Sequence, residues 1–401
     1  MGIAYFRTAG TLLTGTGSVT AIGEQAVLLK ASKVALITDK IIRETGLLSK
    51  VMTPLAAVGL QADIIDDVVP EPPFENLEML AAKLTGKGYD LLIGVGGGSA
   101  LDVTKVLAVM LTNDEDVREF IGIEKVKKPG IPTILVPTTA GTGSEVTYNA
   151  IFTDTRDSVK KGIVSPYLLP TVAIVDAELT LTVPPTVTAA TGMDALVHAV
   201  ESYTAIRAGE LTDGIALQAI KLISRSLRRA VYNGNDLKAR EDMSMGSLLA
   251  GISLGNAGVG AVHALAYPLG GKFNVPHGVA NSLLLPFVMK YNVVADLEKF
   301  AEVAKAMGEN VSGLSLREAA ERAVTALAQL SQDVGIPSNL KEVGVQATDL
   351  PALAEEASKV DRLLQNNPRW LTANEILKIY DEAYGEEGES VNSPMSEEVH
   401  A

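Results

Sequence analysis

Short runs of β-branched and aliphatic residues alternate with amphipathic stretches through residues 1–180. Such runs predict buried strands, and their alternation with helices predicts a parallel sheet with right-handed crossovers. After Pro184 and Pro185 the pattern changes to long helical periodicities with few candidate strands. Because 401 residues exceed the size at which one hydrophobic core stops growing, two domains are expected. The pattern therefore predicts an α/β domain at 1–180 and an all-helical domain at 181–385.

The candidate strands and helices of the α/β domain follow one another closely. Strands are expected in KVALITD at 33–39, QADIID at 61–66, TILV at 133–136 and VAIVD at 172–176, and a strand, glycine turn and helix at 90–111. A strand or hairpin within 1–23 is expected before a helix near 23–31, and further helices at about 40–58 and up to about 87. Such sheets bind ligands at the carboxyl ends of their strands.

A glycine turn follows the strand of 90–111, with glycine at positions 94, 96, 97 and 98. Ser99, with Asp102 three residues later, predicts an N-cap and its capping-box partner. A glycine turn that opens a helix lets backbone N–H groups and the helix dipole meet a phosphate. The spacing is not G-x-G-x-x-G, because Ser99 stands where the last glycine would fall. The turn predicts a pyrophosphate site or, alternatively, only a tight turn that needs positive φ.

A second polar turn follows the strand TILV. It consists of residues small enough to let a ligand approach closely: Pro137, Thr138, Thr139, Gly141, Thr142, Gly143 and Ser144. Two such turns favour one phosphate-bearing ligand between them, since the carboxyl ends of parallel strands share one edge of the sheet.

The composition is globular, with 47% apolar and 20% charged residues. The 34 basic and 48 acidic residues give a formal net charge of −14, so nucleic acid and anionic membranes are not expected as partners. The absence of cysteine excludes disulfides and thiolate metal sites and favours a cytoplasmic enzyme. The amino terminus lacks a secretory signal, and the most apolar stretch, 91–111, is interrupted by Asp102 and Lys105, so no membrane span is expected.

Residues 192–277 contain three of the four histidines of the chain. Asp194 and His198 are four residues apart in a stretch that predicts a helix, so their side chains would point the same way. That spacing suits two ligands of one metal ion.

His263 and His277 are the other two candidate ligands. His263 lies in a short helical stretch that Pro268 and the pair Gly270 and Gly271 are expected to end, and His277 lies in a loop entering another helix. One carboxylate with three imidazoles suits Fe(II) or Zn(II) better than Ca(II) or Mg(II). The alternative is a set of unrelated histidines with hydrogen-bond partners in a helical core, because D-x-x-x-H alone is common.

Four motifs resemble those of the iron-containing (group III) alcohol dehydrogenase family in sequence and order. They are GGGSALDVTK, PTTAGTGSEVT, GMDALVHAVESY and HALAYPLGGKFNVPHGVANSLLLP. The resemblance covers nearly the whole chain and implies a Rossmann-like α/β domain that binds a nicotinamide dinucleotide, an all-helical domain, and a metal in the cleft between them. It implies Fe(II) as the metal, with Zn(II) accepted by the same set, and as ligands Asp194, His198, His263 and His277.

The resemblance also implies the residues that bind the dinucleotide. They are Gly97, Gly98 and Ser99 in the pyrophosphate turn, Thr138, Thr139 and Thr142 in the second loop, Lys160 near the nicotinamide ribose, and Asp39 facing the adenosine ribose. A carboxylate at position 39 accepts hydrogen bonds from ribose hydroxyls and would repel a 2′-phosphate, so NAD(H) is expected rather than NADP(H). The alternative role of Asp39 is a helix N-cap.

Two positions depart from the family pattern. Family members often carry a second histidine four residues after the one matching His263, where this chain has Tyr267. If the helix persists that far, Tyr267 lies on the metal-facing side, where it could shape the pocket, bind substrate or relay a proton, or only pack as an aromatic. The turn at 70–72 differs from the Pro-Asn-Pro often seen near the cofactor, which leaves Glu71 without a role.

The resemblance implies reversible hydride transfer between the nicotinamide and a small primary alcohol or its aldehyde, with the metal polarising the substrate oxygen. The candidate catalytic residues are His263, His277 and Tyr267. The alternatives are a glycerol-dehydrogenase-like polyol dehydrogenase and a dehydroquinate-synthase-like lyase. A homodimer or higher homo-oligomer is expected, and residues 386–401, which include His400, are expected to form an acidic tail without a role.

Overall fold

The computed structural model describes residues 5–156 and 159–385. The described strands are, in chain order, β1 (Thr11–Thr14), β2 (Val34–Ile37), β3 (Ala62–Ile65), β4 (Leu91–Gly96), β5 (Gly122–Ile123), β6 (Thr133–Pro137), β7 (Asn149–Asp154), β8 (Val159–Val164) and β9 (Val172–Val175). Six of them form a parallel sheet in the order β1-β9-β6-β4-β2-β3. The four inner strands, β9, β6, β4 and β2, are buried throughout, as expected for a sheet covered on both faces.

Helices cover both faces of this sheet. The helices that precede or cross between its strands are α1 (Ile22–Leu28), α2 (Lys40–Glu44), α3 (Ser49–Ala57), α4 (Phe74–Leu84) and α5 (Gly98–Met110). Along β2, Val34 and Leu36 pack into a core with α1 and α3, while Ala35 and Ile37 pack into a second core with α4 and α5. This alternation follows from the two-residue period of a strand.

The second half of the described chain is helical. Its helices are α6 (Pro185–Thr204), α7 (Glu210–Tyr232), α8 (Leu237–Ala257), α9 (Ala261–Phe273), α10 (His277–Asn292), α11 (Leu297–Ala306), α12 (Leu316–Asp333), α13 (Leu350–Ala357), α14 (Asp361–Leu364) and α15 (Ala373–Tyr384). Helix α6 packs against α7, α8 and α10, and residues 192–200 are all buried. A helix surrounded by other helices is buried on all sides, which explains why the residues around the polar side chains of α6 are mostly apolar.

The sequence analysis missed a small sheet of β5, β8 and β7. Strands β7 and β8 form an antiparallel pair from Asn149 opposite Val164 to Asp154 opposite Val159. Alternate residues of β7 are buried, and β8 consists largely of Lys, Gly and Val, so neither strand has the continuous apolar run that marks the central strands. This sheet brings Lys160 to the edge of the cavity described below.

Of the strand or hairpin expected within 1–23, the described residues form a strand, β1, which pairs in parallel with β9 and precedes α1. Two other local expectations are wrong. The helix expected over 40–58 is two helices, with a turn that includes Gly46 at φ +75° between α2 and α3. Pro268 does not end its helix: α9 continues to Phe273, since a proline removes one backbone hydrogen bond but packing on α10 and α13 retains the helix.

The last strand ends at Val175 and α6 begins at Pro185, on either side of position 180. The domain boundary expected near 180 stays a prediction. The expected acidic tail at 386–401, with His400, lies outside the described residues. Within the described ranges, no single helix is long and apolar enough to cross a membrane; α8 and α9, bent by 103° relative to each other, pass that test only as a pair and only by length and composition.

Candidate metal and dinucleotide site

A cavity of about 740 Å³ lies between the strand ends of the central sheet and the helical half. The sheet side contributes Gly98, Ser99 and Thr142, which belong to the two turns expected to bind a dinucleotide. The helical side contributes the residues expected to hold a metal and Tyr267: Asp194, His198, His263, Tyr267 and His277. The fold therefore brings these candidate residues to one cavity, whereas Asp39, Gly97, Thr138 and Thr139 are not among its lining residues.

Four side chains from three helices meet at the helical wall, and we call them the four-residue cluster: Asp194, His198, His263 and His277. Asp194 and His198 are one turn apart on α6, with 3.8 Å between Asp194 Oδ2 and His198 Nε2. The ring of His263 on α9 stacks on that of His198 with centroids 5.0 Å apart. His277, the first residue of α10 as its flanking Pro and Gly indicated, lies with its ring centroid 5.4 Å from that of His263.

Ligand atoms of three of the four residues converge on one point, and His198 is not part of that group. One atom each from Asp194, His263 and His277 lie within 4.8 Å of one another. All three face the side-chain nitrogen of Asn281, which lies 2.7 Å from Asp194 Oδ1, 3.2 Å from His263 Nε2 and 3.1 Å from His277 Nε2. An amide nitrogen has two protons and cannot satisfy three acceptors. The cluster therefore has an excess of acceptors, which suits a cation.

The distances fit a single divalent ion. Ligands that bind one ion at about 2.1 Å lie roughly 3–4 Å apart, close to the 3.8 Å between Asp194 and His198. Asn281 Oδ1 is buried and has no hydrogen-bond partner among the described residues, so rotation of the amide would move its nitrogen away without breaking a bond made by that oxygen. Asp194, His263 and His277 thus fit the metal that the ligand set indicates, and His198 lies beside them, 3.8 Å from Asp194.

Burial sets the protonation of the cluster. Burial lowers the pKa of His198, against the opposing effect of Asp194, and lowers the pKa of His277 to about 3. Burial alone would raise the pKa of Asp194, but the neighbouring histidines and the hydrogen bond from Asn281 outweigh it and hold that pKa below its usual value. At neutral pH Asp194 is therefore a carboxylate and His198 and His277 are uncharged imidazoles, the forms that bind a metal.

Glu201 orients His263. Its Oε2 lies 2.5 Å from His263 Nδ1, and its Oε1 accepts a hydrogen bond of 2.7 Å from the backbone N–H of Val262. Glu201 is 2% exposed. With the imidazole proton on Nδ1 shared with this carboxylate, the Nε2 lone pair faces the cluster, an arrangement typical of metal-binding histidines.

Tyr267 lies one helical turn after His263, on the same side of α9. The helix continues beyond Pro268, as the metal-facing position of Tyr267 requires. The ring centroid of Tyr267 lies 6.3 Å from that of His277. Burial raises the pKa of Tyr267, so its phenol is protonated at neutral pH and can donate a hydrogen bond.

The two turns on the sheet side are in contact. A Cβ at Gly98 would stand 2.7 Å from Thr142 Cγ2, and one at Gly97 would stand 3.5 Å from Thr139 Oγ1. Position 98 therefore requires glycine for this close approach. The helix after the turn begins at Gly98, with Gly97 as its N-cap, so the expected capping box of Ser99 is wrong.

Asp102, the expected capping partner, instead joins the two turns. Its carboxylate accepts hydrogen bonds from the Ser144 hydroxyl and, at 3.0 Å, from the backbone N–H of Ile151, and it forms a 2.8 Å ion pair with Lys105. Lys105 is buried and also donates to the carbonyl oxygen of Asn149 at 2.6 Å. A buried ion pair with its hydrogen bonds satisfied holds the turns in a fixed relation.

Asp39 lies at the carboxyl end of β2, beside the glycine turn. Its Oδ1 caps α2 by accepting a hydrogen bond from Ile42 at 2.9 Å, and its Oδ2 would lie 3.6 Å from a Cβ at Gly96. The N-cap role and the ribose-facing position are therefore compatible. Thr138, on the adjacent turn, is buried, and within the described part of the chain its hydroxyl has no hydrogen-bond partner.

Glu71, left without a role by the sequence, pairs with Lys160. Their side chains lie 3.1 Å apart at the cavity wall, and the backbone N–H of Glu71 donates to Ser99 Oγ at 3.3 Å. Glu71 has a left-handed φ of +46°, which turns the Pro-rich segment toward the cavity. Ser99 is thus a hydrogen-bond acceptor for this turn.

Sequence reasoning missed Glu201 and Asn281. Glu201 lies seven residues after Asp194 and Asn281 four residues after His277, so each shares a helical face with a candidate ligand. That spacing is a usable signal, but the hydrogen bonds of Glu201 to the residues around 262 join positions 61 and 62 apart in the chain and need the fold.

Family comparison matches both halves of the chain. Residues 9–177 match the family described as iron-containing alcohol dehydrogenase, and residues 188–384 match the C-terminal part of the Fe-containing alcohol dehydrogenase family. Among curated proteins, the chain is 44% identical over 373 residues to a long-chain-alcohol dehydrogenase of Geobacillus thermodenitrificans, covering 92% of this chain and 94% of that protein.

Solved structures give the same result. A crystal structure of a 1,3-propanediol oxidoreductase has a TM-score of 0.93 and 43% identity, with 96% of this chain and 100% of that chain covered. A sulfoacetaldehyde reductase from Bifidobacterium kashiwanohense, solved in complex with NAD+, has a TM-score of 0.86 and 27% identity, with 96% and 100% covered.

Proposed function

The chain belongs to the iron-containing alcohol dehydrogenase family, and from that premise we propose that its four-residue cluster and two turns form the active site for alcohol and aldehyde interconversion. The family consists of metal-dependent, NAD-linked oxidoreductases. The observation that supports this assignment most is the convergence of three acceptor atoms from α6, α9 and α10 on one point of the cavity that also contains the glycine turn.

In this proposal Asp194, His198, His263 and His277 hold the divalent metal, Fe(II) or Zn(II). When bound, the metal supplies a Lewis acid that polarises the substrate oxygen. The part of the chain in this step is to present uncharged imidazoles and a carboxylate with fixed orientations. Glu201 fixes the ring of His263, and burial keeps His198 and His277 unprotonated.

The dinucleotide is proposed to lie across the two turns. Gly97, Gly98 and Ser99 expose backbone N–H groups at the start of α5, where the helix dipole favours a phosphate. Thr138, Thr139 and Thr142 would contribute hydroxyls from the second turn, and Asp39 would accept hydrogen bonds from the adenosine ribose. The unpartnered hydroxyl of Thr138 supports its inclusion.

Lys160 and Tyr267 are proposed to complete the reacting end of the cavity. Lys160 stands near the nicotinamide ribose in this proposal, and its ion pair with Glu71 supports a fixed position. Tyr267 would donate a hydrogen bond from its protonated phenol, so that it orients the substrate or relays a proton. A nicotinamide held beside these residues would supply the hydride acceptor for an alcohol, or the hydride donor for an aldehyde.

The test is the variant His263→Ala. It is expected to lose bound metal and NADH-dependent reduction of a small aldehyde together, while NADH still binds to the turns on the other wall. Metal content, turnover and NADH fluorescence would be measured on the same preparation. Turnover retained in metal-free His263→Ala protein would overturn the proposal.

A cytoplasmic location and a homodimer or higher homo-oligomer complete the proposal. The absence of cysteine supports a reducing compartment. Strand β1 lies at an edge of the central sheet, and its unpaired side could accept a strand from a second copy. Light scattering of the purified chain would test the assembly, and a monomer at micromolar concentration would contradict it.

A further inference from the structure

Only some of the charged side chains that line the cavity form ion pairs with one another or with neighbouring residues. Its carboxylates are Glu71, paired with Lys160, Asp102, paired with Lys105, Asp194 of the four-residue cluster, and Glu124, which has no ion pair among the described residues. Two arginines of the helical side, Arg207 and Arg362, and the lining residue Arg7 form no ion pair within the described residues either. Arg207 and Arg362 are exposed to solvent, so their guanidinium groups are available to an anionic ligand that enters the cavity.

Arg207 is held in a built position. Its backbone N–H and its Nε both donate to Oδ1 of Asn366, at 3.3 and 3.2 Å. Asn366 is 4% exposed and donates in turn to the carbonyl oxygens of Ala257 and Val259. A Cβ at Gly258 would stand 2.6 Å from Arg207 Nη2, so glycine at this position makes room for the guanidinium.

Arg362 lies on α14, four residues before Asn366 and against α9, the helix of His263 and Tyr267. Arg362 and Tyr267 both line the cavity, and the positive charge of Arg362 opposes the rise in the pKa of Tyr267 caused by burial. The short segment 361–367 therefore presents one guanidinium itself and fixes a second through Asn366. Both arginines belong to the helical half of the chain, whereas the glycine turn belongs to the α/β half, and both halves line this cavity.

We propose that Arg362, assisted by Arg207, binds an anionic group at the far end of the substrate, so that the preferred aldehyde or alcohol carries a carboxylate or a similar oxyanion. The inference rests on the proposed function of the same cavity. A guanidinium fork pairs with two oxygens of a carboxylate. Such a contact would position the carbonyl at the four-residue cluster, while NADH donates the hydride to the carbonyl carbon and a proton completes the alcohol.

The experiment compares two aldehydes of equal chain length, butanal and succinic semialdehyde, on the metal-loaded full-length protein. The wild type is expected to show a kcat/KM for succinic semialdehyde about 10- to 100-fold above that for butanal, the range of a hydrogen bond to a charged group. Arg362→Gln should remove most of this preference through KM, with kcat/KM for butanal and KM for NADH within about 3-fold of wild type. Arg322→Gln, an exposed arginine of α12 outside the cavity, is the matched control.

The outcomes separate this inference from the proposed function. Turnover of butanal with no preference for succinic semialdehyde, or equal losses for both aldehydes in Arg362→Gln, overturns the inference and leaves the dehydrogenase intact. A higher KM for NADH with unchanged aldehyde preference would assign Arg362 to the cofactor instead and also overturns it. Absence of turnover with both aldehydes overturns the proposed function. In that case, calorimetry that compares the binding of 4-hydroxybutyrate with that of 1-butanol, on protein with metal and NAD+ bound, decides whether the cavity selects an anion.

Discussion

Replacing Glu201 with glutamine tests how much of the metal affinity depends on a residue that does not contact the metal. The carboxylate accepts from both His263 Nδ1 at 2.5 Å and the Val262 N–H at 2.7 Å. A glutamine amide retains one acceptor. If its oxygen remains on Val262, its NH2 group faces His263 Nδ1 and favours the tautomer with the proton on Nε2, which removes the lone pair that the metal needs.

The expected cost is the loss of one hydrogen bond to a charged group, about 1.5–3 kcal/mol. That corresponds to a roughly 10- to 100-fold weaker metal affinity, the range found when partners of metal-binding histidines are changed. The assay is competition for Fe(II) or Zn(II) with a chelator of known affinity, followed by metal analysis. NADH binding, at the opposite wall, should be unchanged.

Glu302→Gln is the matched control, because Glu302 is an exposed glutamate of α11 paired only with Lys305 among the described residues. It should bind metal as the wild type does. Equal metal affinity in Glu201→Gln and wild type, with both proteins folded by circular dichroism, would refute the orientation argument. A loss of NADH binding equal to the loss of metal would indicate general damage to the helical core.

Three further predictions follow from the contacts of single residues. Asp39→Gly should improve the use of NADPH relative to NADH, at a cost of only a few tenths of a kcal/mol in helix capping; an unchanged cofactor preference in steady-state kinetics would show that Asp39 does not face the ribose. Gly98→Ala, which sets a Cβ 2.7 Å from Thr142, should weaken NADH binding roughly tenfold through overpacking of the two turns, and an unchanged Kd by fluorescence titration would refute the contact. In metal-free protein, His277 has a pKa of about 3 when folded and about 6.5 when unfolded, so the unfolded chain binds more protons between these values. The free energy of unfolding therefore falls as the pH drops below about 6.5, by about 1 kcal/mol per pH unit. His277→Gln should flatten this dependence in thermal unfolding from pH 6.5 to 5, and an identical slope would contradict the neutral buried state.

The central strands could be predicted because their signal is local. KVALITD and TILV are continuous apolar runs, and each contains a buried strand of the parallel sheet, β2 and β6. The sheet of β5, β7 and β8 could not be found in the same way. Its strands are half-buried and partly polar, and β5 has two residues, so its pairing depends on the surrounding core.

The residues of the candidate site also differ in whether a local sequence signal or only the fold brings them together. Asp194 and His198 share a helical face by spacing, and the fold unites them with His263 and His277. The capping box of Ser99 failed because Asp102 has better partners in Lys105 and Ser144, which are brought near it by the tertiary structure.

The arginines of the cavity wall gave no pattern in the sequence. Arg207 and Arg362 lie 155 residues apart, and Arg207 is held through Asn366, so nothing in the local sequence joins them. Contacts that depend on distant segments are the part of a site that periodicity and spacing cannot supply.

The most direct test of the account is NADH oxidation with propanal by protein prepared anaerobically, stripped of metal, and then reloaded with Fe(II) or with Zn(II). We expect the metal-free protein to bind NADH without oxidising it, and turnover to return on reloading with at least one of the two ions. Turnover in the metal-free protein, or silence in every metal state with NADH bound and the metal taken up, would contradict it.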